Sequence, residues 1–114
     1  SFSTCVEIAT HRGATVFPYR FKDESAKAFA QSVDAELADQ RSGNHYSLSP
    51  TSLMSIPEGT RLVLPSPNGS SLSLATGSTP TLTACLRNCR SVALTAMNYG
   101  RRIAVIPAGE QWND

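Results

Sequence analysis

The stretch Arg61-Leu62-Val63-Leu64-Pro65-Ser66-Pro67-Asn68-Gly69-Ser70-Ser71 decides the fold. Its first five residues, Arg61 to Pro65 after the turn at Gly59, are the clearest strand in the chain and read as a buried one. A hydroxyl-rich turn follows, and then a helix through about Ala75. The same unit recurs outward along the chain. Residues 14–19 read as a strand, with Thr15, Val16 and Phe17 giving it β-branched and aromatic character and Pro18 marking an edge or a turn entry. Before it, residues 3–12 read as a helix with Ser3 as N-cap and Gly13 as stop. After it, Asp23-Glu24-Ser25 opens a helix whose Ala26, Phe29, Ala30 and Val33 share one face. Residues 35–38 form a short strand, 40–50 a polar loop, and Ser49-Pro50 the start of a short helix to about Ile56. Further on, residues 81–85 and 102–106 read as two more strands, separated by a helix over 88–98 that ends at Gly100. Strands alternating with helices through short loops predict an α/β layered domain with a largely parallel sheet.

Composition narrows the function classes. A chain of 114 residues, 40% hydrophobic, is long enough to bury one core, so residues 1–114 are expected to form one domain. The formal net charge is +1, and Arg101-Arg102 is the one adjacent basic pair, which argues against a nucleic-acid binder built on a basic stripe. The longest apolar runs are four residues, such as Ile103-Ala104-Val105-Ile106, too short for a membrane span. Three cysteines form no disulfide framework, and the odd number points to a reducing, cytoplasmic compartment.

Ligands of a parallel α/β sheet bind outside the carboxyl ends of its strands. Residues 66–71, 86–88 and 107–110 fall there in this reading, and residues 1–4 as well if a strand precedes them. In the loop 66–71, Asn68, Gly69 and Ser70 lead into a helix N-terminus, where free backbone N–H groups suit an anion such as phosphate. The same residues also make an ordinary turn and cap. Ser3 and Thr4 are N-cap residues with the same double reading. Arg87 could clamp phosphate oxygens beside Asn88, or be a solvated arginine next to a helix cap. Glu110 could hold a hard cation or act as a base. Cys5, Cys85 and Cys89 match no zinc spacing and read as small buried hydrophobes. Neither His11 nor His45 has a partner in sequence that would make it catalytic.

Longer runs carry a resemblance. Ser47-Leu48-Ser49-Pro50-Thr51-Ser52-Leu53 is followed by Gly59-Thr60-Arg61-Leu62-Val63-Leu64-Pro65-Ser66-Pro67-Asn68-Gly69-Ser70. Then come Cys85-Leu86-Arg87-Asn88-Cys89-Arg90-Ser91-Val92-Ala93 and Val105-Ile106-Pro107-Ala108-Gly109-Glu110. In this order, with Phe2-Ser3-Thr4 and Phe17-Pro18-Tyr19-Arg20 ahead of them, they resemble the 2-phosphosulfolactate phosphatase family across essentially the whole chain. The resemblance implies a three-layer α/β/α fold, two similar halves in the full protein, and a magnesium-dependent phosphomonoesterase acting on a phosphorylated sulfonate or related small phosphomonoester, on a route to coenzyme M. It assigns phosphate binding to Ser3, Thr4, Asn68, Gly69 and Ser70 and matches Asn88 and Arg41 to further motif positions. With the positional argument it makes Arg87, Asn88 and Glu110 the catalytic candidates and Glu110 a ligand of Mg2+.

The chain departs from the pattern in two places. It begins after the Asp-bearing strand that relatives carry, and Tyr46-Ser47-Leu48-Ser49-Pro50 stands where relatives have Gly-Phe-Asp-Leu-Gly-Asn-Ser-Pro. The 114 residues are therefore expected to be one part of a two-part enzyme, with little or no activity by themselves. The alternatives are a non-catalytic anion-binding domain that has lost part of the metal site, and a structural half. A small phosphorylated substrate is the expected partner, without nucleic acid or membrane, and association into a homo-oligomer is left open.

Overall fold

The computed structural model describes residues 2–39 and 44–109. Helix α1 spans Phe2–His11, strand β1 Thr15–Tyr19, helix α2 Glu24–Ser32 and strand β2 Glu36–Leu37. A 3-10 turn over Pro50–Leu53 precedes strand β3, Arg61–Pro65. Helix α3, Gly69–Ala75, and helix α4, Cys89–Ala96, follow, with a second 3-10 turn at Met97–Tyr99. The three strands form one parallel sheet in the order β1-β3-β2, so the stretch that decided the fold is its centre.

Alternation along β3 divides the core into two layers. Leu62 and Leu64 are fully buried on one face with Cys5, Ile8 and Ala9 of α1 and with Leu53 and Ile56 from the 3-10 segment. On the other face lies α2, whose Phe29 stacks on Tyr19 at 4.8 Å and meets Phe17 edge-on at 6.5 Å. Arg61 closes that face: its guanidinium lies 4.8 Å from the Phe17 ring centre and donates to the Val33 carbonyl at the end of α2. Helices on both faces of a parallel sheet make a three-layer α/β/α fold, as expected.

Gly13 ends α1 with φ +87°, a backbone shape that favours glycine, and Glu58 lies so close that a Cβ there would be 2.7 Å from its Cγ. At the start of α1, Ser3 falls inside the first turn and is not its cap, because the helix already includes Phe2. Asp23 caps α2 by accepting from the Ser25 N–H at 2.9 Å. Val33, expected on the buried face of α2, is the residue that ends it.

Two expected strands are absent. Residues 81–85 and 102–106 are irregular, without ladder partners among the described residues. A β-branched run becomes a strand when it finds a neighbour and a face to bury. Here Val105 and Ile106 remain 85% and 67% exposed, and α4 buries no residue. The described sheet is thus three strands wide.

Candidate functional site

A parallel strand sends its carboxyl end, and the N-terminus of the following helix, to one edge of the sheet. That edge carries a cleft of about 320 Å³. Lys22, Asp23 and Ala26 come from the exit of β1 and the start of α2; Leu37, Ala38 and Asp39 come from the end of β2. Pro65 ends β3, and Ser47 and Leu48 close the remaining side. The chain leaves β1 for α2 on one face and leaves β3 for α3, which packs beside α1 and β1 on the other. Divergent exits from adjacent strands create the crevice in which ligands of such sheets lie. The Ser66 N–H donates to the Tyr19 carbonyl at 3.0 Å and ties the two exits together.

The cleft brings one ammonium and two carboxylates to the same edge. One Asp23 oxygen accepts from both the Ser25 N–H and the Ser25 hydroxyl, so this carboxylate is held in place by α2. The Ser47 hydroxyl is already engaged, accepting from the Ser49 N–H at 3.1 Å and donating to Ser52 Oγ at 3.4 Å. Lys22, Asp23 and Asp39 are the charged residues of the cleft lining. Two carboxylates are the hard-oxygen donors that a magnesium ion takes alongside water and phosphate, so the donor set fits the ion in kind. No group of three or more His, Cys, Asp or Glu residues gathers for a metal among the described residues.

Of the residues singled out from sequence, those among the described residues do not line this cleft. The Ser70 hydroxyl is fully buried and donates to the Leu64 carbonyl at 2.9 Å. The Gly69 N–H donates to Ser66 Oγ at 3.2 Å, so the first turn of α3 is capped from within the chain. Phe2 covers Gly69 so closely that a Cβ at that position would fall 2.4 Å from its ring. The structure thus joins the segment of Ser3 and Thr4 to that of Asn68, Gly69 and Ser70 through packing. Asn68 is the α3 cap position without a side-chain cap bond.

Arg87 and Asn88 are also engaged. The Arg87 Nε donates to Glu7 Oε2 at 2.9 Å, which ties the approach to α4 to the face of α1 one turn beyond Ser3 and Thr4. Asn88 accepts from the Cys85 N–H at 2.8 Å and donates to the Thr83 carbonyl at 3.1 Å. Glu110 and Arg41 lie outside the described residues. Cys5 is buried as expected and donates to the Leu48 carbonyl at 3.2 Å, whereas Cys85 is half-buried and Cys89 exposed.

Sequence reasoning missed Lys22, Asp23 and Asp39. The signal was present: the rule that pointed to the exit of β3 applies equally to those of β1 and β2. Two of the four chosen segments rested instead on residues 81–85 and 102–106, which are not strands. The chain matches no protein-family model, no curated protein and no solved structure. No helix among the described residues is long and apolar enough to cross a membrane.

Proposed function

We propose that the chain forms part of a magnesium-dependent phosphomonoester hydrolase of the 2-phosphosulfolactate phosphatase kind, with a small phosphorylated sulfonate or related phosphomonoester bound in the carboxyl-edge cleft. The observation that carries this reading is the meeting of Lys22, Asp23 and Asp39, from the exits of β1 and β2, beside Pro65 at the end of β3. The motif resemblance supports it from the sequence side. Lys22 would pair with a phosphate oxygen, beside the positive end of the nine-residue α2. Asp23 and Asp39 would hold the ion, and the fixed position of Asp23 lowers the cost of assembling that site. Magnesium, when bound, supplies charge neutralisation at the phosphoryl oxygens. Leu37, Ala38 and Leu48 would give the cleft an apolar lining that strengthens the charge contacts to the phosphoryl group. The reaction would take place in the cytoplasm.

Phosphate release from a generic phosphomonoester by the full-length protein that carries this chain tests the proposal. Release should require magnesium and stop with a chelator. Lys22→Ala should raise KM about tenfold, as the loss of one charge-assisted contact. Unchanged kinetics in Lys22→Ala, or release without a divalent ion, would contradict the reading. Phosphate binding that persists with magnesium while no phosphomonoester is hydrolysed would favour the non-catalytic anion binder.

A further inference from the structure

The chain has three cysteines, all free, and two of them stand at the ends of one surface turn. Cys89 is the first residue of α4 and is exposed; Cys85 is half-buried four residues earlier. One side chain organises the turn between them. The Asn88 N–H donates to the Cys85 carbonyl at 3.3 Å, and the Cys85 N–H donates back to Asn88 Oδ1 at 2.8 Å. The Asn88 amide also donates to the Thr83 carbonyl, which fixes the turn to the segment before it.

We propose that Cys85 and Cys89 are a redox pair that closes into a disulfide around Leu86, Arg87 and Asn88. The bond from the Asn88 N–H to the Cys85 carbonyl folds the chain between the two cysteines into one turn. A disulfide needs Cβ atoms about 3.5–4.5 Å apart, which the turn reaches by closing on itself. The movement strains the Asn88 hydrogen bonds but gives up no packing of α4, which buries no residue. Cys5 cannot compete: it is fully buried on the core side of α1, in the cluster with Leu53 and Ile56.

The oxidant is a small-molecule disulfide such as oxidised glutathione. The exposed Cys89, as thiolate, attacks one of its sulfurs; the S–S bond breaks, one glutathione thiolate leaves, and a mixed disulfide forms on Cys89. Cys85, as thiolate, then attacks Cys89 Sγ and expels the second glutathione thiolate. The two cysteines lose two electrons, the glutathione disulfide gains them, and the two cysteine protons pass to the two released thiolates. Arg87 and Arg90 flank Cys89 and favour the approach of an oxidant that bears carboxylates. The ring would enclose Arg87, the residue tied to Glu7 of α1, so the redox state would act on the link between α4 and the first layer of the fold.

Trypsin distinguishes the outcomes, because it cuts after Arg61, Arg87 and Arg90 and so separates the two cysteines. The 114-residue chain is incubated with oxidised glutathione, blocked with N-ethylmaleimide, digested and weighed. With the block applied in urea, peptide 62–87 is expected joined to peptide 88–90, two hydrogens lighter than their sum, with Cys5 alkylated; thiols titrated in urea fall from three to one. Cys85→Ser should stop at the mixed disulfide on Cys89. The proposal fails if wild type also stops there, or if both peptides are recovered unlinked. It fails equally if a mixture of isotope-labelled and unlabelled chains yields peptides linked between copies.

Discussion

Cys5 shows what burial does to a single group. Removal from water pushes its thiol above the ordinary value of 9.0, since the charged thiolate is the form that burial penalises. The folded thiol therefore keeps its proton at a pH where the unfolded one has lost it. The stabilisation is complete below 9.0 and is lost as pH rises through the higher folded value. The urea midpoint should fall as pH climbs above 9.0, and Cys5→Ala should flatten that slope. At Gly69 the decisive fact is Phe2. A methyl group there would force the ring off the start of α3, and Gly69→Ala should cost about 1–3 kcal/mol in denaturant unfolding. The sequence marked Gly69 and Ser70 as special, and they are, but for close packing and a buried hydroxyl. No pattern in the sequence tells a glycine needed for a phosphate from one needed for a phenyl ring.

Pro18 is the plainest case at the scale of elements. Thr15 donates to Thr60 and Tyr19 accepts from Ser66, so alternate residues of β1 address β3, while Val16 and Pro18 address the open edge. Pro18 removes one donor from that edge, which disfavours pairing with another chain. Pro18→Val restores the donor and should promote concentration-dependent association, measurable by light scattering; a strictly monomeric variant would refute this role. The proline announced an edge strand from sequence, and β1 is one. The central strand and α2 were equally legible, because their apolar spacing is a local property. Residues 81–85 and 102–106 carry the same local pattern and form no strand, because a strand also needs a neighbour. That requirement is long-range and leaves no mark on the run itself.

Across the whole molecule, charge and apolar surface are unevenly divided. Between Gly59 and Gly109 there is no Asp or Glu, while Arg61, Arg87, Arg90, Arg101 and Arg102 all lie there. The carboxylates of the cleft come from the other part of the chain, at the ends of β1 and β2. This is why the candidate site was only half legible. The sheet edge follows from strand order, but the choice of exit loops depends on which strands pair. The central claim is that a phosphomonoester and magnesium meet at this edge, and amide chemical shifts of the isotope-labelled chain, titrated with both together, test it most directly. Shifts are expected to concentrate at Lys22, Asp23, Glu24, Ala38 and Asp39 and to be lost with a chelator. Shifts absent from these residues, or confined to the start of α4, would contradict it.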